Sequence, residues 1–156
     1  MSIAPIIKHV DVAVPPQRAF DLFTGSMGRW WKKGRTIGST PHVDIVIEPF
    51  SGGRWFERGE DGEEVQWGTV LAWEPPGRVL LGWQLNAAFR PDPDLLTEVE
   101  LRFEQAPGGT RVTLEHRNLE RFGPSAAELA GKFAGGWQTH IRDFADYADV
   151  HAGAGD

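Results

Sequence analysis

The sequence predicts an α+β fold: a curved antiparallel sheet of six to seven strands around one long C-terminal helix, with two short helices after the first strand. Three observations carry this expectation. Runs with a two-residue period follow one another from His42 to Leu119, separated by turn residues. Hairpin signals such as Asp61-Gly62 make consecutive strands antiparallel neighbours. From Pro124 to Asp149 the apolar period lengthens to three and four residues, as in a helix.

The elements follow in chain order. "IIKHVDVAV" sets Val10, Val12 and Val14 against His9, Asp11 and Ala13, the pattern of a half-buried strand. In "PPQRAFDLFT" the prolines suit a first helical turn, and Ala19, Phe20, Leu22 and Phe23 form a stripe, so a short helix covers about 15–23. Gly25 and Gly28 break it, and "MGRWWKK" continues as a second short helical turn. Strands are expected at about 42–49, 53–58, 64–74, 78–85, 96–105 and 111–119. The stretch "NAAFRPDPD", 86–94, is an irregular loop with two prolines. In the last helix Leu129, Phe133, Trp137, Ile141, Phe144 and Ala148 make one stripe. Residues 1–149 read as one domain and 150–156, small and polar, as a flexible tail.

Composition narrows the function. A net charge of −6 over 156 residues argues against a nucleic-acid or anionic-membrane surface, both of which need basic faces. With no cysteine there is no disulfide or thiolate metal site, and the five histidines share no ligand spacing. No phosphate loop, nucleophile elbow or cofactor motif occurs, so neither metal nor cofactor is expected. "MSIAPIIKHVDVAV" lacks the order of a signal peptide and no apolar run is long enough to span a bilayer, which makes a cytoplasmic protein the expectation.

Seven tryptophans against one tyrosine stand out. They make either a thick core, in which they simply pack, or the walls of an apolar cavity; so many large rings are difficult to pack into one small core without voids, which favours the walls. Trp67 and Trp73 share a strand face with Val65, Thr69 and Leu71 by parity, and Trp83 shares one with Val79 and Leu81. These should meet Phe133, Trp137 and Ile141 of the helix stripe. The basic stretch "RWWKKGR", 29–35, reads as a pocket lip or a hydrophobic corner: either Trp30 or Trp31 packs inward and the other lies at the rim. As a lip, with Lys32 and Lys33, it would favour a ligand bearing an acid group. Arg54 shares parity with Phe56; if Phe56 faces inward the guanidinium does too, paired with a protein carboxylate or an anionic ligand. His116 is the candidate for proton transfer, since parity puts it inward with Val112 and Leu114; the alternative is a core histidine satisfied by the protein. His140, off the centre of the stripe, faces either the cavity edge or the solvent flank, where it would be solvated or capping. Gly131, Gly135 and Gly136 each cost about 1 kcal/mol in a helix interior, and Gly136 is read as admitting a strand or ligand to the backbone, or as a kink.

Taken together and in order, "PPQRAFDLFT", "RWW", "EPFSGGRWFER", "WGTVLAWEPPGRVLLGW", "GGTRVTLEHRNL" and "GGWQTHI" resemble the C-terminal domain of the activator of Hsp90 ATPase, within the START-like, Bet v 1-like superfamily, over about residues 6–149. The resemblance implies the helix-grip fold, often around a hydrophobic cavity. It implies no single function: relatives look like ligand carriers, aromatic cyclases, stress-response proteins and chaperone partners. Three expectations follow. The first is binding of a flat apolar or aromatic ligand in a cavity of several hundred Å³, the range of small-molecule pockets. The second is a cyclase-like enzyme in that cavity, with His116 assisting. The third is a chaperone-interacting module. A monomer and a homodimer both remain open.

Overall fold

The computed structural model describes residues 3–152. Seven strands form one antiparallel sheet: β1 (Ile6–Val12), β2 (His42–Ile47), β3 (Arg54–Gly59), β4 (Glu64–Glu74), β5 (Arg78–Trp83), β6 (Thr97–Ala106) and β7 (Gly109–Arg117). Their order is β1-β7-β6-β5-β4-β3-β2, a meander from β2 to β7 with the first strand added beside the last. Two helices, α1 (Pro16–Gly25) and α2 (Met27–Trp30), bridge from one edge strand to the other. After β7 come 3₁₀ turns over Leu119–Ser125, interrupted at Gly123, and then α3 (Ala126–Val150). The sheet curls as a half-barrel about this helix. Among the described residues no helix is long and apolar enough to cross a membrane.

The helix seats because its stripe and the sheet's inner parity are both apolar. Leu129, Phe133, Trp137, Ile141, Phe144 and Ala148 are all buried. They meet Val79, Leu81 and Trp83 of β5, Val99, Leu101 and Phe103 of β6, and Val112 and Leu114 of β7, in one buried cluster. The outer face carries charge instead: Glu100 takes hydrogen bonds from Arg78, Arg102 and Arg117. Only the inner face therefore offers a helix apolar area to cover.

Parity misleads on β4, and on β3 it does not say which face is the inner one. Two register shifts each leave an extra residue on β4: Trp67, opposite the Trp55–Phe56 step of β3, and Leu71, opposite the Leu80–Leu81 step of β5. Trp67, Val70 and Trp73 consequently reach the inner side, while Leu71 and Thr69 do not share it. On β3 the inward residues are Trp55 and Glu57, both fully buried. Arg54 and Phe56 do share a side, but it is the outer one. Arg54 is paired with Glu48 and Glu64 and lies 4.2 Å over the Phe56 ring.

The long helix begins at Ala126 rather than Pro124, because the 3₁₀ turns take up the preceding residues. Val150, expected in the tail, ends the helix; the remainder of that expectation, 153–156, lies outside the described residues.

The rings fall into two groups. Phe20, Phe23, Trp30, Phe103 and Phe144 interlock edge to face under α1, with Phe23 to Phe144 at 5.0 Å and Trp30 to Phe144 at 5.4 Å. This end is filled. Phe144→Ala should cost about 3–5 kcal/mol, the range for truncating a buried phenylalanine. Urea unfolding measures it; a loss below about 1 kcal/mol would mean that this end is not the packed one.

Candidate functional site

The second group of rings surrounds a space. Trp31, Trp67, Trp83, Phe133 and Trp137 line a cavity of about 140 Å³, together with Ile37, Leu85, Phe89, Gly136 and His140. Arg35 and Lys132, both exposed, stand at its rim. The volume is smaller than the several hundred Å³ expected. It suits a single aromatic ring, since an apolar cavity of roughly 150 Å³ takes up benzene. A larger molecule would have to project past Phe89, which is 41% exposed and lies 5.8 Å from Phe133.

Trp30 and Trp31 divide between core and cavity. Helix α2 ends at Trp30, and Trp31 is extended, with φ −77° and ψ 122°. The break in helical geometry sends the two rings apart, their centroids 5.8 Å from each other. Both are buried, so neither forms an exposed rim. Trp31 lies 5.0 Å from Trp67 and stacks on His140 at 3.7 Å, with its indole N–H donated to the Arg35 carbonyl at 2.9 Å. The expected lip lysines are elsewhere. Lys32 borders a separate surface hollow with Asp143 and Asp146, and Lys33 donates to the His42 carbonyl.

A buried carboxylate holds the lip in place. Glu57 accepts from the Ile37 and Gly38 backbone N–H groups at 2.8 and 3.0 Å and from Trp67 Nε1 at 2.8 Å. Three donors satisfy a charge that would otherwise be costly to bury. They tie the loop carrying Arg35 and Ile37 to β3. Sequence reasoning missed Glu57, since an isolated glutamate between Phe56 and Arg58 reads as a solvated residue.

His116 faces inward as expected, but it lies behind the cavity wall. Its Nδ1 accepts the Trp137 indole N–H at 3.0 Å, which leaves Nε2 protonated and donating to Thr97 Oγ1 at 2.8 Å. Both nitrogens are engaged. Burial pushes its pKa from 6.5 to about 3. This is the core-histidine alternative: His116 orients Trp137 and has no free nitrogen with which to move a proton. Ile141 is buried in the core and does not line the cavity.

Of the two placements open to His140, the cavity edge and the solvent flank, the structure has the first: it forms part of the wall. Burial, with the Arg35 charge as a second cause, pushes its pKa to about 4. Gly136 also faces the cavity. A Cβ built on it would meet nothing within 4 Å, so the missing side chain leaves room, and no strand approaches there. Leu85 and Phe89 come from the irregular loop and its entry, where no periodicity could have marked them. Among the described residues no group of three His, Cys, Asp or Glu side chains could hold a metal ion.

A curled sheet gripping a helix, with an indole-walled hollow at mid-helix, defines a helix-grip protein with an internal apolar site. The sequence model for the family described as "Activator of Hsp90 ATPase homolog 1-like protein" matches residues 13–149, and the chain belongs to that family. No curated protein matches the chain by sequence. Among solved structures, an anthrahydroquino-γ-pyrone synthase, Txn09, complexed with SUM, is 32% identical, with 93% of this chain and 97% of that one covered at a TM-score of 0.65. Protein MLL2253 from Mesorhizobium loti is 18% identical, covering 92% and 95%, with a TM-score of 0.67. The Aha1 dimer from Colwellia psychrerythraea is 14% identical, covering 95% and 98%, at 0.65. The last two likenesses establish the fold.

The two histidines generate a pH prediction. Both are neutral in the folded chain and would take up a proton on unfolding below about pH 6.5. Their contribution is complete above 6.5 and is lost as the pH falls from there toward 4 and 3. Urea unfolding should therefore show stability dropping from pH 6.5 to 4.5, and dropping less in His140→Phe. Superimposable acid limbs for the two proteins would contradict the burial of His140.

Proposed function

We propose that the protein binds a small, flat, apolar or aromatic molecule in the hollow between the sheet and α3, with any acidic edge turned toward Arg35 and Lys132. One observation carries this reading. At mid-helix, between Phe133 and Trp137, the protein's own side chains leave a ring-sized space where Gly136 contributes none. The surrounding indoles supply flat apolar walls. A void of this kind forfeits packing, so its retention favours a guest over plain core. The acid preference rests on two rim cations, Arg35 and Lys132, rather than on Lys32 and Lys33. Arg35 forms no ion pair among the described residues, and Lys132 reaches only Glu128 on the same helix, at 3.9 Å.

A second reading, a ring-forming enzyme in the same hollow, is favoured by the 32% identity to a synthase whose name specifies a fused aromatic pyrone. In that reading proton transfer falls to His140, since His116 is fully engaged. The likeness to the Aha1 dimer, at 14% identity, carries neither a chaperone partner nor a dimer to this chain.

The helix glycines supply the test. Gly131, Gly135 and Gly136 all have open space beside them, but only Gly136 lines the hollow. Gly135→Ala should raise stability by about 1 kcal/mol and leave binding alone. Gly136→Leu should fill the hollow and abolish the rise in melting temperature that toluene produces in the unaltered protein. Toluene binding that survives Gly136→Leu, or that is absent from the unaltered protein, would overturn the reading. For the rim, Arg35→Glu with Lys132→Glu should weaken benzoate binding about three- to tenfold and leave toluene within twofold. Equal effects on both would remove the acid preference.

A further inference from the structure

Six of the seven indoles are buried, and five of those six donate their N–H to the protein. Trp30 donates to the Phe23 carbonyl, Trp31 to that of Arg35, Trp55 to Met27 Sδ, Trp67 to Glu57 and Trp137 to His116. Trp83 is the exception: its Nε1 is buried and has no partner. An unsatisfied buried donor costs about 1–3 kcal/mol, so it marks either a defect or a place reserved for another molecule.

Its position favours the second. Trp83 lines the hollow and is itself only 5% exposed. Its ring is packed among Trp55, Trp67, Phe133, Trp137 and His116 at 5.6–6.2 Å between centroids. None of these neighbours has an acceptor to give: phenylalanine has no polar atom, an indole only donates, and both His116 nitrogens are already engaged by Trp137 and Thr97. Five buried side-chain polar atoms are unpartnered among the described residues, and two of them, Trp83 Nε1 and His140 Nδ1, belong to the wall of this one hollow. Both rings neighbour Trp137, at 5.7 and 5.9 Å.

We propose that Trp83 is the specificity-determining donor of the site, and that the site selects aromatic molecules bearing a carbonyl oxygen, which accepts the Trp83 Nε1–H. The proposal rests on the ligand-binding reading above and deepens it by naming the ligand's polar group. An indole N–H can only donate, so the partner atom must be an acceptor. A neutral carbonyl suits a donor set among rings, where a bare charge would be poorly solvated. The apolar walls then bind the ring, and the single N–H fixes its orientation, the usual division of labour in a small-molecule pocket.

The test compares acetophenone with α-methylstyrene, which has nearly the same shape but carries CH₂ in place of the carbonyl oxygen. Each is titrated into the unaltered protein and into Trp83→Phe, with affinities from calorimetry. Trp83→Phe should weaken acetophenone about fivefold or more and leave α-methylstyrene within twofold, as expected for one lost hydrogen bond of about 1 kcal/mol. Equal changes for the two probes would overturn the donor role while leaving the pocket standing. If neither probe binds the unaltered protein, the pocket reading fails and this proposal falls with it. Should Trp83→Phe not fold, the unaltered protein decides: one indole N–H resonance should move downfield with acetophenone and none with α-methylstyrene. A spectrum in which both probes perturb the indole signals alike, or neither does, overturns the proposal.

Discussion

The hydrogen bond from Trp137 to His116 is the constraint on which the site depends. It joins the middle of α3 to β7, and His116 passes the tie to Thr97 on β6. Helix packing alone would let the stripe slide or rotate until its rings filled every gap. A directional bond between fully or nearly buried partners resists this, because breaking it would leave an indole donor and an imidazole acceptor unpaired in an apolar interior. Trp137 therefore holds its ring as a wall. The space beside Gly136 stays open because the nearest large residue is fixed in another direction.

The rest of the aromatic inventory divides around that fixed point. At the α1 end, phenylalanines and Trp30 fill the interior edge to face. At the other end, Trp31, Trp67 and Trp83 stand around the hollow, and four of the five indole N–H bonds in the buried set go to backbone, sulfur or carboxylate partners that fix each ring. Glu57 serves the second end twice, gripping Trp67 and the loop that brings Arg35 to the rim. The site is thus built on strands and a helix, with only the Leu85–Phe89 segment and the 31–41 loop contributed by irregular backbone. The walls are carried by regular elements and the mouth by irregular backbone, the usual arrangement of a pocket on a scaffold.

The architecture was legible in the sequence because it rests on periodicity. The stripe from Leu129 to Ala148 and the alternation in β6 and β7 each specify a face directly, and the structure follows them. The site was only partly legible. Trp67 and Trp83 were expected at a cavity from strand parity, Phe133 and Trp137 from the helix stripe, and Trp31 as one of an adjacent pair of which one ring packs inward; all five line the hollow. Arg54 and Phe56 were misplaced because β3 offers aromatic residues on both parities, and the buried Glu57 disguises the true inner face. The bulges in β4 likewise hide which residues turn inward, since strict alternation cannot register an extra residue. Arg35, Leu85, Phe89 and Lys132 carried no pattern at all. They reach the hollow through tertiary placement, and His140 does so by stacking on a ring 109 positions away in the chain, a contact that no local spacing encodes.

The central claim is that, among the described residues, the interior beside α3 is hollow at Gly136 and filled at Phe144. Xenon tests it most directly, because it enters apolar voids of this size without needing a chemical match. A crystal of the protein under xenon pressure should show one dominant xenon peak enclosed by Trp31, Trp67, Trp83 and Trp137, with no peak beneath α1 near Phe144. Those four indoles collapsed onto one another with no xenon among them, or a stronger peak at the Phe144 end, would contradict the account.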